Sequence, residues 1–252
     1  MAQLAIPHRC LELSRIAPFF AGWDSTFVRS CLQGCMGYVL VDALENPTAA
    51  QIVIGDFCLF AGRPDAGLAA QAAAPLLVPR NADWAAVIES VWRRKVEKSL
   101  RYAMRTPPDG FPAERLAAYA ESLRGGYALV PMDDAVYGMA MGELWARDFC
   151  ARFANADDYR RRGVGVAVLL QGELLAGASS YIVYDGGIEI EIATRRDYRR
   201  KGLGTACGAG LILECLRRGL RPSWDAQDLR SAALAEKLGY GRARPYAVYT
   251  KR

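Results

Sequence analysis

Residues Gly187 to Tyr240 constrain the fold more than any other stretch of the chain. They open with Ile188, Glu189, Ile190, Glu191 and Ile192 in alternation. A side-chain period of two puts the isoleucines on one face of a strand and both carboxylates on the other. A basic connection from Arg195 to Lys201 follows, then Gly202-Leu203-Gly204, then a small-residue and apolar run from Thr205 to Leu216 with helical spacing. Strand, glycine loop, helix is the order that anion binding needs. The first N–H groups of a helix lack intrahelical partners and sit at the positive end of its dipole. Glycines let a phosphate approach the backbone, and the arginines and the lysine between 195 and 201 add longer-range attraction. A tight connection that binds nothing accounts for the two glycines equally well. The spacing lacks the third glycine and the downstream acid of a dinucleotide turn, and it has no Gly-Lys-Ser/Thr ending for a nucleoside triphosphate.

What remains, Arg199-x-x-Gly202-x-Gly204, resembles the acyl-CoA diphosphate loop of the GNAT superfamily of N-acetyltransferases. A second motif resembles the closing helix of that superfamily, which usually carries an Asn, a small residue three places on, and an ending Lys-Leu-Gly-Phe/Tyr. Here those places hold Asp228, Ser231 and Lys237-Leu238-Gly239-Tyr240. The wording is most similar to a bacterial two-domain subfamily that includes an acetyltransferase conferring resistance to an aminopolyol antibiotic. The resemblance implies an α/β (α+β) fold with a mixed, mostly antiparallel sheet flanked by helices. It implies an acyltransferase that moves an acetyl group from acetyl-CoA directly to a primary amine of a small molecule.

Carried over residue by residue, the resemblance gives the thioester to the backbone N–H groups of Ile192 and Thr194. The diphosphate goes to the amides of Arg200, Lys201, Gly202, Leu203, Gly204 and Thr205, with charge from Arg199, Arg200 and Lys201. Asp228 and Ser231 fall beside the pantetheine arm. Two departures matter: Asp228 stands where relatives have Asn, and Ala235 occupies the place of a tyrosine that protonates the departing thiolate. For the base, Glu189 and Glu191 share one side of the strand, and either can take the ammonium proton directly or through water. A two-faced strand with both carboxylates in solvent is the plain alternative. Tyr240 and Tyr246 are candidate acids, with Tyr240 standing where relatives keep an aromatic for packing. Cys207 lies in the first turn of the loop helix, where a thiol pKa is lowered, although direct transfer needs no covalent cysteine and packing suffices for it.

The chain has 252 residues, 52% of them hydrophobic, enough for one large or two modest domains with a full core. A formal charge of +5 does not call for nucleic acid as a partner. Seven scattered cysteines suit a reducing cytoplasm, and with one histidine no metal site is expected. Neither a membrane span nor the basic start and apolar centre of a secretion signal is expected, the latter from residues 1–10. Monomer and homodimer both stay open.

Upstream, residues 11–20 read as a helix, and 37–41 and 51–60 as strands, with Gly55 and Asp56 marking a bulge in the second. Asp65 stands as a cap for a short helix over 66–74. Residues 76–78 read as a strand, and Asn81 or Asp83 caps a helix running from Trp84 through Arg105, basic along one side. Thr106-Pro107-Pro108-Asp109-Gly110 breaks the chain. We therefore expect an N-terminal α/β domain over 1–110, a degenerate GNAT-like repeat without a glycine-arginine loop, a connector over 111–125, and the acetyltransferase domain over 126–252. In the latter, 127–130 is a strand, Asp133 or Asp134 caps a helix to Phe153, 159–163 is a basic turn, and strands follow at 164–170, 173–184, 222–225 and 244–250. Two rival functions stay in view: a non-catalytic CoA sensor or protein-interaction module, and RNA binding through the 92–105 helix.

Overall fold

The computed structural model describes residues 8–10 and 12–252; the reading of residues 1–7 as free of a secretion signal, and Leu11 at the start of the first helix, lie outside the described residues. Described residues up to Arg101, together with Pro245–Arg252, form one compact unit, and Tyr102–Arg244 form the other.

The first unit runs β1 (His8–Cys10), α1 (Leu13–Ile16), a 3-10 turn, α2 (Thr26–Leu32), β2 (Tyr38–Val41), β3 (Ala49–Ile54), β4 (Phe57–Gly62), α3 (Ala66–Ala70), β5 (Leu76–Pro79), α4 (Ala82–Trp92) and β6 (Val96–Arg105). Strands β1 to β4 pair antiparallel in sequence order, and β4 pairs parallel with β5. Strand β3 is buried along its whole length, so it lies at the centre of the core. Phe60, Leu77, Trp84 and Ile88 close that core, and the Trp84 indole N–H donates to the Gly62 carbonyl at 3.0 Å.

Two expectations are corrected here. Residues 51–60 are not one bulged strand. Gly55 and Asp56 form the turn of a hairpin between β3 and β4, and Gly55 has a φ of +55°, a conformation glycine adopts without strain. Nor does a helix run from Trp84 to Arg105. Helix α4 is capped by Asn81 Oδ1, which accepts from Trp84 N at 3.0 Å, and it stops at Trp92. Arg93 takes a φ of +49°, Arg93–Lys95 make one 3-10 turn, and β6 begins at Val96. Val96, Leu100 and Met104 fit a helical period locally. The far end of β6 instead pairs with residues more than a hundred positions on, a competitor that local periodicity cannot register. The basic stripe therefore lies on no helix, and the RNA reading loses its geometric basis.

The second unit runs α5 (Ala113–Ala120), β7 (Ala128–Pro131), α6 (Asp134–Gly142), a 3-10 turn at Arg147–Phe149, α7 (Ala156–Arg162), β8 (Gly165–Leu170), β9 (Glu173–Tyr184), β10 (Gly187–Thr194), a 3-10 turn, α8 (Leu203–Arg217), β11 (Arg221–Ser223), β12 (Asp225–Ala226), α9 (Leu229–Lys237) and β13 (Gly241–Lys251). The helix expected from 133 or 134 to 153 is shorter: Asp133 Oδ1 caps it and Gly142 ends it. Residues 159–162 belong to α7 rather than to a turn, because Asn155 Oδ1 accepts from Asp158 N at 2.9 Å and starts a helix there. Strands β7 to β10 pair antiparallel in sequence order and β10 pairs parallel with β11. That is the first unit's pattern again, with β7 to β11 in the places of β1 to β5. The sheet is mixed and mostly antiparallel, with helices against it, as expected.

The last strands of the two halves are exchanged. The end of β13 pairs with β5 in the first unit, Tyr249 opposite Leu77 and both buried. The end of β6 pairs with β12 in the second unit, Asp225 opposite Ala103. Each unit is thus completed by a strand whose sequence neighbours lie in the other. No helix among the described residues is long and apolar enough to cross a membrane.

Candidate active site

Strand β10 has one paired edge and one edge that opens. Its parallel ladder with β11 holds only from Gly187 to Glu189, opposite Arg221 to Ser223, whereas the ladder with β9 continues to Thr194. The phase of that second ladder follows from one bond: Arg195 N donates to Leu175 O at 2.9 Å. Hydrogen-bonding pairs alternate along an antiparallel ladder. Glu191 and Ala193 therefore spend their backbone groups on β9, and Ile192 and Thr194 turn theirs toward the edge that β11 has left. The Thr194 carbonyl on that edge accepts from Arg199 Nε at 3.3 Å.

The same strand delivers its side chains to two faces. A Cβ placed on Gly208 would meet Ile192 Cδ1 at 3.4 Å, and one on Gly204 would meet Thr194 Oγ1 at 3.4 Å. Ile192 and Thr194 thus point at α8. Glu191 and Ala193 lie opposite Ser179 and Gly177 of β9, and directly opposed residues share a face. On that second face Ser179 Oγ donates to the Phe149 carbonyl at 2.7 Å, and the Phe149 ring covers Gly177, where a Cβ would lie 2.6 Å from it. The irregular step between Glu189 and Ile190 leaves the extra residue, Tyr181, on β9. Strand β10 itself keeps its alternation, and Glu189 shares the face of Glu191.

Helix α8 begins without a side-chain cap. Helices α4, α6 and α9 are closed by Asn81, Asp133 and Asp228, but the N-cap of α8 is Gly202, with a φ of +82°. The N–H groups of its first turn, from Leu203 to Thr205, meet no capping side chain, which leaves a positive helix end beside the open edge of β10. Arg200 just before it has a φ of +64°, a strained choice for a side-chain-bearing residue. Arg199, Arg200 and Lys201 are exposed. The first cation of the run is already engaged: Arg195 binds Asp197 at 3.0 Å and Glu173 at 3.2 Å and stacks on the Tyr198 ring, against which Lys201 also lies.

The closing motif is largely occupied by its own bonds. Asp228 Oδ1 accepts from Ser231 N at 2.9 Å and caps α9, Oδ2 pairs with Arg230, and Ser231 Oγ accepts from Trp224 Nε1 at 3.0 Å. Burial opposes ionisation of Asp228, but the Ser231 N–H and the Arg230 guanidinium outweigh it and hold the carboxyl below its usual range.

The two glutamates part company. Glu189 is 3% exposed, and its Oε1 accepts from Asp225 N at 2.6 Å, tying β10 to β12. Glu191, one residue-pair along the same face, stays half-buried beside Ala193 and the segment of Phe149.

The family model described as GNAT acetyltransferase matches residues 17–249. The chain belongs to that family. A crystal structure of a GCN5-related N-acetyltransferase-like protein from Streptococcus suis 89/1591 is 37% identical, covers 95% of this chain and 98% of its own, and superposes with a TM-score of 0.91. A curated relative, the uncharacterized N-acetyltransferase YdfB of Bacillus subtilis (strain 168), is 24% identical over 170 residues, 66% of this chain and 62% of its own length; the match thus spans less than two thirds of that protein. A tandem GNAT protein from the clavulanic acid biosynthesis pathway shares the fold alone, at 13% identity and a TM-score of 0.53, over 98% of this chain and 97% of its own.

Within a GNAT frame four further residues find their places. Tyr240 does not stand free as an acid: its hydroxyl donates to the Pro222 carbonyl at 3.0 Å, its ring packs on Trp224 and Phe111, and burial drives the phenol well above its ordinary range. Tyr246 belongs to the segment that completes the first unit. Cys207 is fully buried, and burial pushes its thiol up rather than down, so the helix end does not make it reactive. Ala235 is likewise buried, and its carbonyl accepts from Tyr240 N. The wall opposite Glu191, built from Trp145 and Phe149, was missed in the sequence. Its aromatics read there as the end of one long helix, and the only local signal against that reading was the pair Gly142 and Glu143 before Leu144.

The helix that follows β4 in the first unit, the counterpart of α8, does not begin open. After β4 the chain passes Gly62, Arg63 and Pro64 to Asp65, whose Oδ1 takes the Leu68 N–H at 2.6 Å, so a carboxylate already sits where a diphosphate would.

Proposed function

We propose that the protein carries an acetyl group from acetyl-CoA to a primary amine of a small molecule by direct transfer. The observation that carries this is the open edge of β10 beside the uncapped start of α8. Two outward N–H groups and a helix end bare of side-chain caps suit a thioester carbonyl and a diphosphate at once. Bound acetyl-CoA would supply the activated acetyl thioester. The amides from Arg200 to Thr205 would hold its diphosphate, with Arg199, Arg200 and Lys201 adding charge. Ile192 and Thr194 would orient and polarise the carbonyl, and Asp228 and Ser231 would line the pantetheine side as the cap and its partner.

Glu191 serves as the base in this reading. It is the member of the pair with access to the surface, and its face carries the aromatic wall. As the amine nitrogen bonds to the acyl carbon and the carbon–sulfur bond breaks, the amine proton passes to Glu191 directly or through water. Glu189 positions β12 through the Asp225 amide. The part that a tyrosine at 235 would play falls to solvent, since Ala235 is buried and the Tyr240 hydroxyl is engaged. We assign these steps to residues 126–252, of which 245–252 complete the sheet of the first unit, take residues 1–110 as a second GNAT-like copy without an acyl-CoA loop, of which Tyr102 onward packs with the second unit, keep 111–125 as the connector, and place the reaction in the bacterial cytoplasm.

Calorimetry with acetyl-CoA and thiol release across a panel of amines test the proposal together. Saturable binding with amine-dependent thiol release is expected. Binding without release from any amine would favour the sensor alternative, and a folded protein that takes up no acetyl-CoA would end both.

A further inference from the structure

The N–H of the Trp145 indole is buried and has no hydrogen-bond partner. Other tryptophans of the chain show what is normal. Trp84 donates to Gly62 O at 3.0 Å, Trp92 to Ala69 O at 2.9 Å, and Trp224 to Ser231 Oγ at 3.0 Å. A buried donor left unpaired is costly, and native structures keep few of them without a reason.

The position of Trp145 supplies a reason. Its ring meets Phe149 edge-on, with centroids 6.0 Å apart. Phe149 covers Gly177, and its carbonyl holds Ser179. Gly177 and Ser179 stand directly opposite Ala193 and Glu191 on β10. Trp145 therefore belongs to the wall over the face that carries the half-buried glutamate, while its neighbour Leu144, 83% exposed, leaves the turn in solvent. Farther along the wall the Arg152 guanidinium lies 5.0 Å from the Tyr181 ring centroid and pairs with Asp148 Oδ1 at 3.4 Å.

We propose that Trp145 is a specificity-determining residue: its indole N–H donates to an oxygen of the acceptor and so orients the amine toward Glu191. The acceptor class is then a primary amine that also carries a hydroxyl or carbonyl oxygen, in preference to a plain alkylamine. A donor that is satisfied only when ligand arrives rejects an analogue lacking the oxygen, because that analogue leaves the N–H unpaired. The inference rests on the acetyl-transfer reading for its chemistry and on the orphaned donor for the residue.

The test pairs 2-aminoethanol with propylamine, which replaces the hydroxyl by a methyl. In the intact protein kcat/KM should favour 2-aminoethanol by about tenfold or more. Trp145→Phe should bring the ratio close to one, chiefly by losing the oxygenated amine, and Trp145→Tyr serves if that variant does not fold. In parallel, the indole 1H–15N resonance of Trp145, assigned by its loss in the variant, should move downfield when 2-aminoethanol is added to the CoA complex and stay in place with propylamine. A ratio that the substitution does not change, or a resonance that 2-aminoethanol does not move, overturns the proposal. Absence of turnover with both amines counts against the acetyl-transfer reading, and the resonance still decides the role of Trp145.

Discussion

Glu189 and Glu191 are the same side chain on the same face of one strand, two positions apart, and the structure gives them different work. Glu191→Gln should lower kcat by about 10²- to 10⁴-fold, the usual worth of a general base, with the melting temperature nearly unchanged. Glu189→Gln keeps an oxygen for the Asp225 amide and should preserve the fold, whereas Glu189→Ala should cost about 1–3 kcal/mol in denaturant melts. Equal loss of turnover in the two glutamine variants would mean that the base is not Glu191 alone. The alternation that put both carboxylates on one face was legible in the sequence. The amide that seals one of them was not, because it comes from 36 positions away. A second residue carries a pH signature. The Arg162 guanidinium, then the Ala154 N–H, hold the Asp158 carboxyl at about 2, below its ordinary 3.8. A depressed folded-state pKa stabilises above the unfolded value and is lost as pH falls through the folded one. Thermal melts should therefore show stability draining between about pH 4 and pH 2, and Asp158→Asn should flatten that slope.

At the scale of elements, the loop into α8 was legible and β6 was not, for the same physical reason. The loop declares itself by local chemistry: glycine where φ is positive, no capping side chain, cations before the turn. Strand β6 is defined by a partner far along the chain, so the helical spacing of its apolar residues misled. The N-terminus of α8 is the place to test the loop. Gly202→Ala forces a side chain into the left-handed region at about 1–2 kcal/mol. We expect acetyl-CoA affinity in calorimetry to fall about tenfold, with α8 retained by circular dichroism. Unchanged affinity would show that the turn is only a tight connection.

At the scale of the whole chain, one topological pattern is written twice, β1 to β5 and β7 to β11, in sequences that share no glycine loop. The duplication was only partly readable from residue order, because topology is set by which strands pair and the copies differ in their signature residues: Gly202 starts one helix and Asp65 starts the other. The exchange of last strands was not readable at all. Deleting residues 245–252 should strip β5 of its neighbour and bare Leu77 and Tyr249's place beside it. Hydrogen exchange should then show Leu76–Pro79 losing protection, while α8 keeps its own. Unaltered protection at β5 would mean that the pairing contributes little to the first unit.

That exchange also bears on how the molecule is made. Translation delivers residues 8–101 well before 245–252, so the nascent first unit leaves the ribosome with the β5 edge bare and waits for a strand still to be synthesised. Acquisition of native structure in the first unit is thereby tied to a segment made long after the rest of it, and a ribosome stalled anywhere before Pro245 would display an unfinished sheet.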